Sequence, residues 1–195
     1  MEQEKQGYTP KQVIDIFNTD KKYDIIYADP AWDYKNKPSK KGTSRGFAGN
    51  HYELIDKHSL ETMPINNISN KDSICFMWTT LPMIKQAISC MESWGFIYRT
   101  TAFVWVKKTK KGTNFWGCGY YTRANTEICL LGIKGKGIKP LSHSIHQIVE
   151  TIPEKHSKKP DVVRDKIVQL CGNLPRIELF AREYADGWDC WGNEV

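Results

Sequence analysis

The run Tyr23-Asp24-Ile25-Ile26-Tyr27-Ala28, stopped by Asp29-Pro30-Ala31-Trp32, constrains this chain most. It is of strand length, rich in β-branched and aromatic residues, and suits a strand buried in a parallel sheet. Pro30 ends the strand, so Asp29 stands at its carboxyl end, where open α/β sheets place their ligands. A carboxylate, a backbone carbonyl fixed by proline and the flat ring of Trp32 form a holder for an aromatic amine. The amino nitrogen of adenine is a poor nucleophile, because its lone pair is delocalised into the ring. Two acceptors on its N–H groups, the Asp29 carboxylate and the Pro30 carbonyl, would pull it towards tetrahedral geometry. Trp32 would stack on a base taken out of its strand. The same residues also fit a plainer assignment, with Asp29 capping a turn and Trp32 in the core.

The flanking pattern predicts the sheet. Residues 10–19 read as a short helix with Pro10 in its first turn and Val13, Ile14 and Phe17 on one face. Residues 58–68 read as a short helix and turn. A buried strand from Ser73 to Thr80 precedes Pro82 and a helix that reaches about Trp94 and stops at Gly95. Tyr98 to Lys107 and Ile128 to Ile133 read as further strands. A helix opens at Lys159-Pro160-Asp161, turns Val162, Val163, Ile167 and Leu170 inward, and ends at Cys171-Gly172. A strand from Arg176 to Arg182 and a short element from Gly187 to Glu194 complete the chain. This rhythm predicts a doubly wound, mostly parallel α/β sheet.

A length of 195 residues predicts a single domain, 1–195. No apolar run approaches membrane-spanning length and the first residues lack a signal-peptide layout, which predicts a soluble protein. Six cysteines stand far apart without a Cys-x-x-Cys pair. They predict reduced core thiols in the cytoplasm and argue against zinc or disulfides. His143 and His146 have metal-like spacing but no third ligand, so no metal is expected. The net charge of +6 permits nucleic-acid binding without demanding it. Its placement says more: residues 34–52 carry Lys35, Lys37, Lys40, Lys41 and Arg45 and no acid. That loop adjoins the proposed pocket, where it would meet phosphates, although a solvated surface loop has the same composition. Lys107 to Gly112 is a second basic loop. The glycines at 117 and 119 precede no helix and so make no phosphate-binding fingerprint.

Asp29-Pro30-Ala31-Trp32 resembles the Asp-Pro-Pro-Trp signature of the adenine-N6 methyltransferases of the seventy-kilodalton-subunit (MT-A) family, with Ala31 in place of the second proline. The segment running through Tyr121 and Arg123 into Glu127-Ile128-Cys129-Leu130 is similar to the family's Gly-rich segment, which lines the substrate side. Lys159-Pro160-Asp161, then Ile177-Glu178-Leu179-Phe180-Ala181-Arg182, then Gly192-Asn193 follow in the family's order. The resemblance covers roughly residues 23–195 and implies a Rossmann-like methyltransferase domain in circularly permuted order, catalytic motif first. It implies S-adenosylmethionine as cofactor, with the methionine carboxylate on Lys159, ribose hydroxyls on Arg182 and Asn193, and the adenosine beside Glu194. Asp29 and Glu178 belong to the same cofactor set. Asp29, Pro30 and Trp32 would be catalytic. Tyr52, Lys40, Lys41, Arg45, Lys107, Tyr121 and Arg123 would meet the substrate. Small single-domain members are typically bacterial or phage-borne, so DNA is the expected substrate, and a homodimer would help to span a duplex. RNA stays open as the alternative. So does a non-catalytic nucleic-acid-binding subunit, since Ala31 departs from the signature.

Overall fold

In a computed structural model that describes residues 12–32, 55–119, 121–154 and 158–195, the Tyr23 run forms β1 (Tyr23–Ala28), deep within a seven-stranded sheet. Short helices α1 (Lys57–Glu61) and α2 (Ile65–Ile68) lead into β2 (Ser69–Thr79). Asp56 caps α1 by accepting hydrogen bonds from the backbone of His58 and Ser59, at 3.0 and 3.1 Å. Then follow α3 (Ile84–Ser93), β3 (Ile97–Lys107), β4 (Thr126–Lys134) and β5 (Ile148–Thr151). The last elements are α4 (Val162–Cys171), β6 (Arg176–Leu179) and β7 (Asp189–Trp191).

The strand order is β5-β3-β4-β2-β1-β6-β7. β1 pairs in parallel with both neighbours, β2 and β6, and the sheet is Rossmann-like and mostly parallel. Successive β1 side chains enter opposite layers. Ile26 and Ala28 join a core with Leu60, Ala87 and Met91 from α1 and α3. Ile25 and Tyr27 join the core under α4, with Val163 and Ile167. A strand covered on both faces and both edges needs apolar residues throughout, which is why its pattern does not alternate.

β4 departs from the all-parallel rhythm, being antiparallel to both β2 and β3. No helix separates β3 from β4, and without a crossover the chain can only turn back. Residues 12–19, expected in a helix, contain none. Gln12 to Ile14 instead runs along the edge of β7: the Ile14 N–H donates to the Cys190 carbonyl at 2.9 Å, and Cys190 N–H to the Gln12 carbonyl at 3.0 Å. Ile14 and Ile16 turn inward while Val13 and Phe17 stay exposed, a period of two that suits β-branched residues. Asp189, fully buried, holds this segment by accepting from Tyr23 Oη at 2.8 Å and Lys21 Nζ at 3.1 Å.

Smaller differences follow local geometry. Pro160 precedes the first residue of α4 by two positions, and Val162 is exposed while Val163, Ile167 and Cys171 face inward. β6 ends before Phe180, whose φ of 62° leaves the strand region. Five cysteines are buried free thiols, and Cys118 is exposed. Among the described residues no helix is long and apolar enough to cross a membrane, and no group of three metal-ligating side chains occurs. Ile26, with no solvent exposure, tests the packing. Ile26→Ala should cost about 2–5 kcal/mol, read as a lower urea midpoint with an unchanged denaturant slope.

Candidate active site

One edge of the sheet collects the chemistry. Asp29 follows the carboxyl end of β1, Phe180 to Arg182 follows β6, and Gly192 to Glu194 follows β7. Lys107 is the last residue of β3. Because β4 runs the other way, its first residues, including Glu127, arrive at the same edge.

Charges alternate along this edge. Lys159 Nζ donates to Asp29 Oδ2 at 2.8 Å and lies 3.3 Å from Glu127 Oε2. Glu127 Oε1 pairs with Lys107, whose ammonium also stands 4.7 Å above the Trp105 ring. Burial pushes the Lys159 ammonium down, but Asp29 and Glu127 outweigh burial and leave it raised. Burial likewise pushes the Glu127 carboxyl up, but Lys159 and Lys107 outweigh it and hold the carboxyl below its ordinary value. Lys158, next in sequence, points elsewhere, to Glu154, Asp161 and Glu183.

The turn after β1 is tight. Trp32 N–H donates to the Pro30 carbonyl at 3.0 Å, which leaves that oxygen one further lone pair. The Trp32 indole differs from the open stacking plate expected of it. Its ring is buried, its Nε1 donates to the Trp78 carbonyl at 3.0 Å, and it walls a cavity of about 560 Å³ with Ile55, Leu60, Met83, Gln86 and Cys90. A large ring beside a buried strand end is held by the core on one side and by a carbonyl acceptor on the other.

A second cavity, of about 310 Å³, brings together Asp29, Arg182, Asn193 and Glu194, four of the six residues expected at the cofactor. Phe180 and Trp191 line it too, with ring centroids 5.4 Å apart at 75°. Gly192 makes the arrangement possible, since a Cβ there would meet the Ala181 carbonyl oxygen at 2.2 Å. Arg182 Nε lies 3.9 Å from Glu194 Oε1. Glu178 is placed differently. It does not line this cavity, and Arg164 of α4 binds both its oxygens, at 2.6 and 3.0 Å. Burial pushes its carboxyl up, and Arg164 only partly offsets that. Tyr121 is exposed, and Arg123 lies over the Trp116 ring. Tyr52, Lys40, Lys41, Arg45 and the rest of the first basic loop lie outside the described residues.

Glu127 and Phe180 lie inside the segments matched to the family, and Trp191 beside one, but the sequence assigns none of them a role of its own. A glutamate opening an apolar strand next to a basic loop was the available signal for Glu127.

The charge cluster sets a pH window. Glu127 is depressed in the fold, so its stabilisation is complete above its unfolded pKa and is lost as pH falls through the folded one. Lys159 is raised, so its stabilisation is complete below its unfolded value and is lost as pH rises through the folded one. At pH 7, Glu127→Gln should destabilise by about 2 kcal/mol. In urea unfolding series of the two proteins that difference should start to shrink as pH falls past about 4 and disappear only at still lower pH, once Glu127 is protonated in the fold.

The model of the MT-A70 family matches residues 23–194. Type II methyltransferase M.MunI from Mycoplasma sp. is 38% identical over 90% of this chain and 78% of its own length. The N(6)-adenosine-methyltransferase MT-A70-like protein of Arabidopsis thaliana is 27% identical over 93% of this chain, and the N(6)-adenine-specific methyltransferase METTL4 of Homo sapiens 27% over 92%. This chain spans only 24% and 39% of those two. With its signature turn at the end of β1 and its carboxyl-edge cavity, the chain belongs to the MT-A70 family.

Proposed function

We propose that this protein, one domain over residues 1–195, transfers a methyl group from S-adenosylmethionine to the N6 amino group of adenine in DNA. The observation that carries this reading is the shared carboxylate. Asp29 lines the 310 Å³ cavity with Arg182, Asn193 and Glu194 and also opens the Asp29-Pro30 turn. The donor set suits the cofactor. Phe180 and Trp191 offer apolar ring faces for an adenine. Arg182, Asn193 and Glu194 offer polar partners for ribose hydroxyls, and Lys159 a cation for a carboxylate. When bound, the cofactor supplies the electrophilic methyl.

The chain's own residues do the rest. Asp29 and the free lone pair of the Pro30 carbonyl accept from the target amine and free its lone pair for attack. Tyr52 flanks the base, while Trp32, its buried ring tied to Trp78, fixes the turn that presents the Pro30 carbonyl. Lys40, Lys41, Arg45 and Arg123 meet phosphates. Lys107 acts through Glu127, which steadies Lys159. Glu178, clamped by Arg164 of α4, holds that helix against β6. Positioning carries the rate, because holding both partners in line makes the transfer effectively unimolecular.

DNA is favoured over RNA because, among the relatives compared above, the chain is more identical to Type II methyltransferase M.MunI, at 38%, than to the N(6)-adenosine-methyltransferase MT-A70-like protein, at 27%. A flipped-out target base is required, and a second copy of the chain would help to grip a duplex. The reading places the protein in the cytoplasm of a bacterium or phage-infected cell.

Tritiated cofactor offered with duplex DNA, single-stranded DNA and RNA of one sequence, followed by digestion to nucleosides, tests both substrate and chemistry. Label should appear in N6-methyldeoxyadenosine; label only in the ribonucleoside overturns DNA and leaves the chemistry standing. Asp29→Ala should abolish transfer with the fold intact. Arg182→Ala should weaken cofactor binding by about tenfold in calorimetry, the loss of roughly one charge-assisted hydrogen bond.

A further inference from the structure

The connection between β3 and β4 has a composition that the fold does not use. From Lys107 to Thr126 it contains no acid, while Lys107, Lys108, Lys110, Lys111 and Arg123 are basic. It also displays Phe115, Trp116 and Tyr121 to solvent, with Trp116 75% and Tyr121 95% exposed. A water-facing indole forfeits the stabilisation that burial gives it, and clustered exposed aromatics mark binding surfaces.

This surface is built rather than loose. Lys108 and Asn114 form a bridge, and the Phe115 N–H donates to the Lys107 carbonyl at 2.9 Å, which folds the chain back to the sheet edge. At Gly117 a Cβ would lie 1.5 Å from the Ala124 carbonyl oxygen, and at Gly119 1.8 Å from that of Thr122. Backbone against backbone, the two arms set Trp116 beside Arg123, whose guanidinium carbon lies 5.4 Å from the indole centroid. The root of the connection is the charge cluster itself, since Lys107 pairs with Glu127, and Glu127 with the Lys159 that holds Asp29.

We infer that Trp116, backed by Arg123, is a stacking platform for an unpaired nucleobase flanking the target, with Lys110 and Lys111 on the adjoining phosphates. The inference rests on the nucleic-acid reading above and extends it to a named contact. Ring faces accept any base, and a guanidinium layered on an indole presents both a π-face and a cation to the strand. Among the described residues Lys110 and Lys111 have no carboxylate within ion-pair distance. A protein partner fits less well. A second copy meeting this connection through a two-fold axis would set its lysines against their own kind.

The test measures anisotropy of a labelled single-stranded adenine-containing oligonucleotide over a salt series. It compares the wild type with Trp116→Ala, Trp116→Phe, Gly117→Ala and Lys110→Ala. Trp116→Ala should weaken binding by about 5- to 100-fold with an unchanged salt slope, because a lost stack releases no counterions. Trp116→Phe should keep most of the affinity, and Gly117→Ala should behave like Trp116→Ala. Lys110→Ala should lower the slope by about 0.7. Cofactor affinity by calorimetry should not change in any variant, which separates a platform defect from misfolding.

Wild-type affinity in Trp116→Ala, with methylation intact, overturns the platform and leaves the proposed function standing. A dimer in the wild type that dissociates in Trp116→Ala at unchanged oligonucleotide affinity overturns it in favour of a subunit interface. A wild type that neither binds nor methylates the oligonucleotide overturns the function proposed above, and the platform with it.

Discussion

A carboxylate at the end of a buried strand loses most of its water, at a cost in free energy that a cation placed against it can offset. Asp29 is in that position, and Lys159 is the cation, at 2.8 Å. Lys159 faces the same problem and solves it with a second carboxylate, Glu127, which in turn holds Lys107. The alternation ties β1, the start of α4, β4 and β3 together at one edge. No member can be removed without leaving a neighbour partly desolvated and short of a partner. The crevice therefore has its charges fixed in place before any substrate arrives, which is the condition for electrostatic preorganisation.

Much of this was legible in the sequence where the cause was local. β1, β2 and α3 are long, strongly patterned and buried, so their residues carry the fold's constraint directly. The Asp29-Pro30 turn was visible as a strand stop, whereas the Arg182, Asn193 and Glu194 set was expected from the family resemblance alone; all of them but Pro30 line one cavity. What stayed hidden depends on partners distant in sequence. Gln12 to Ile14 is extended because β7 offers it an open ladder, and β7 lies far along the chain. β5 is four residues long and largely solvent-facing, too short to show a period. The direction of β4 follows from an absent crossover helix rather than from any residue in the strand.

The site diverges from its motif in the same way. Trp32 reads as a ring for stacking, yet the nearest acceptor for its N–H is the Trp78 carbonyl, and that bond draws the ring into the core. Glu178 reads as a cofactor partner, yet Arg164 of α4 satisfies both its oxygens. A motif says which groups are present. The hydrogen-bond partners the fold supplies decide which face they show.

The reversed course of β4 bears on how such a domain changes over time. Parallel neighbours are joined by crossovers whose length is bound to the span of the sheet, and altering one disturbs the packing of a whole layer. A turn between antiparallel neighbours has no such span, and lengthening it costs only slowly growing closure entropy. Of the connections that meet the crevice, the one between β3 and β4 is thus the freest to take insertions, deletions or exchanges. Relatives can diverge in what they touch there while the strands that carry Asp29 and Arg182 keep their places.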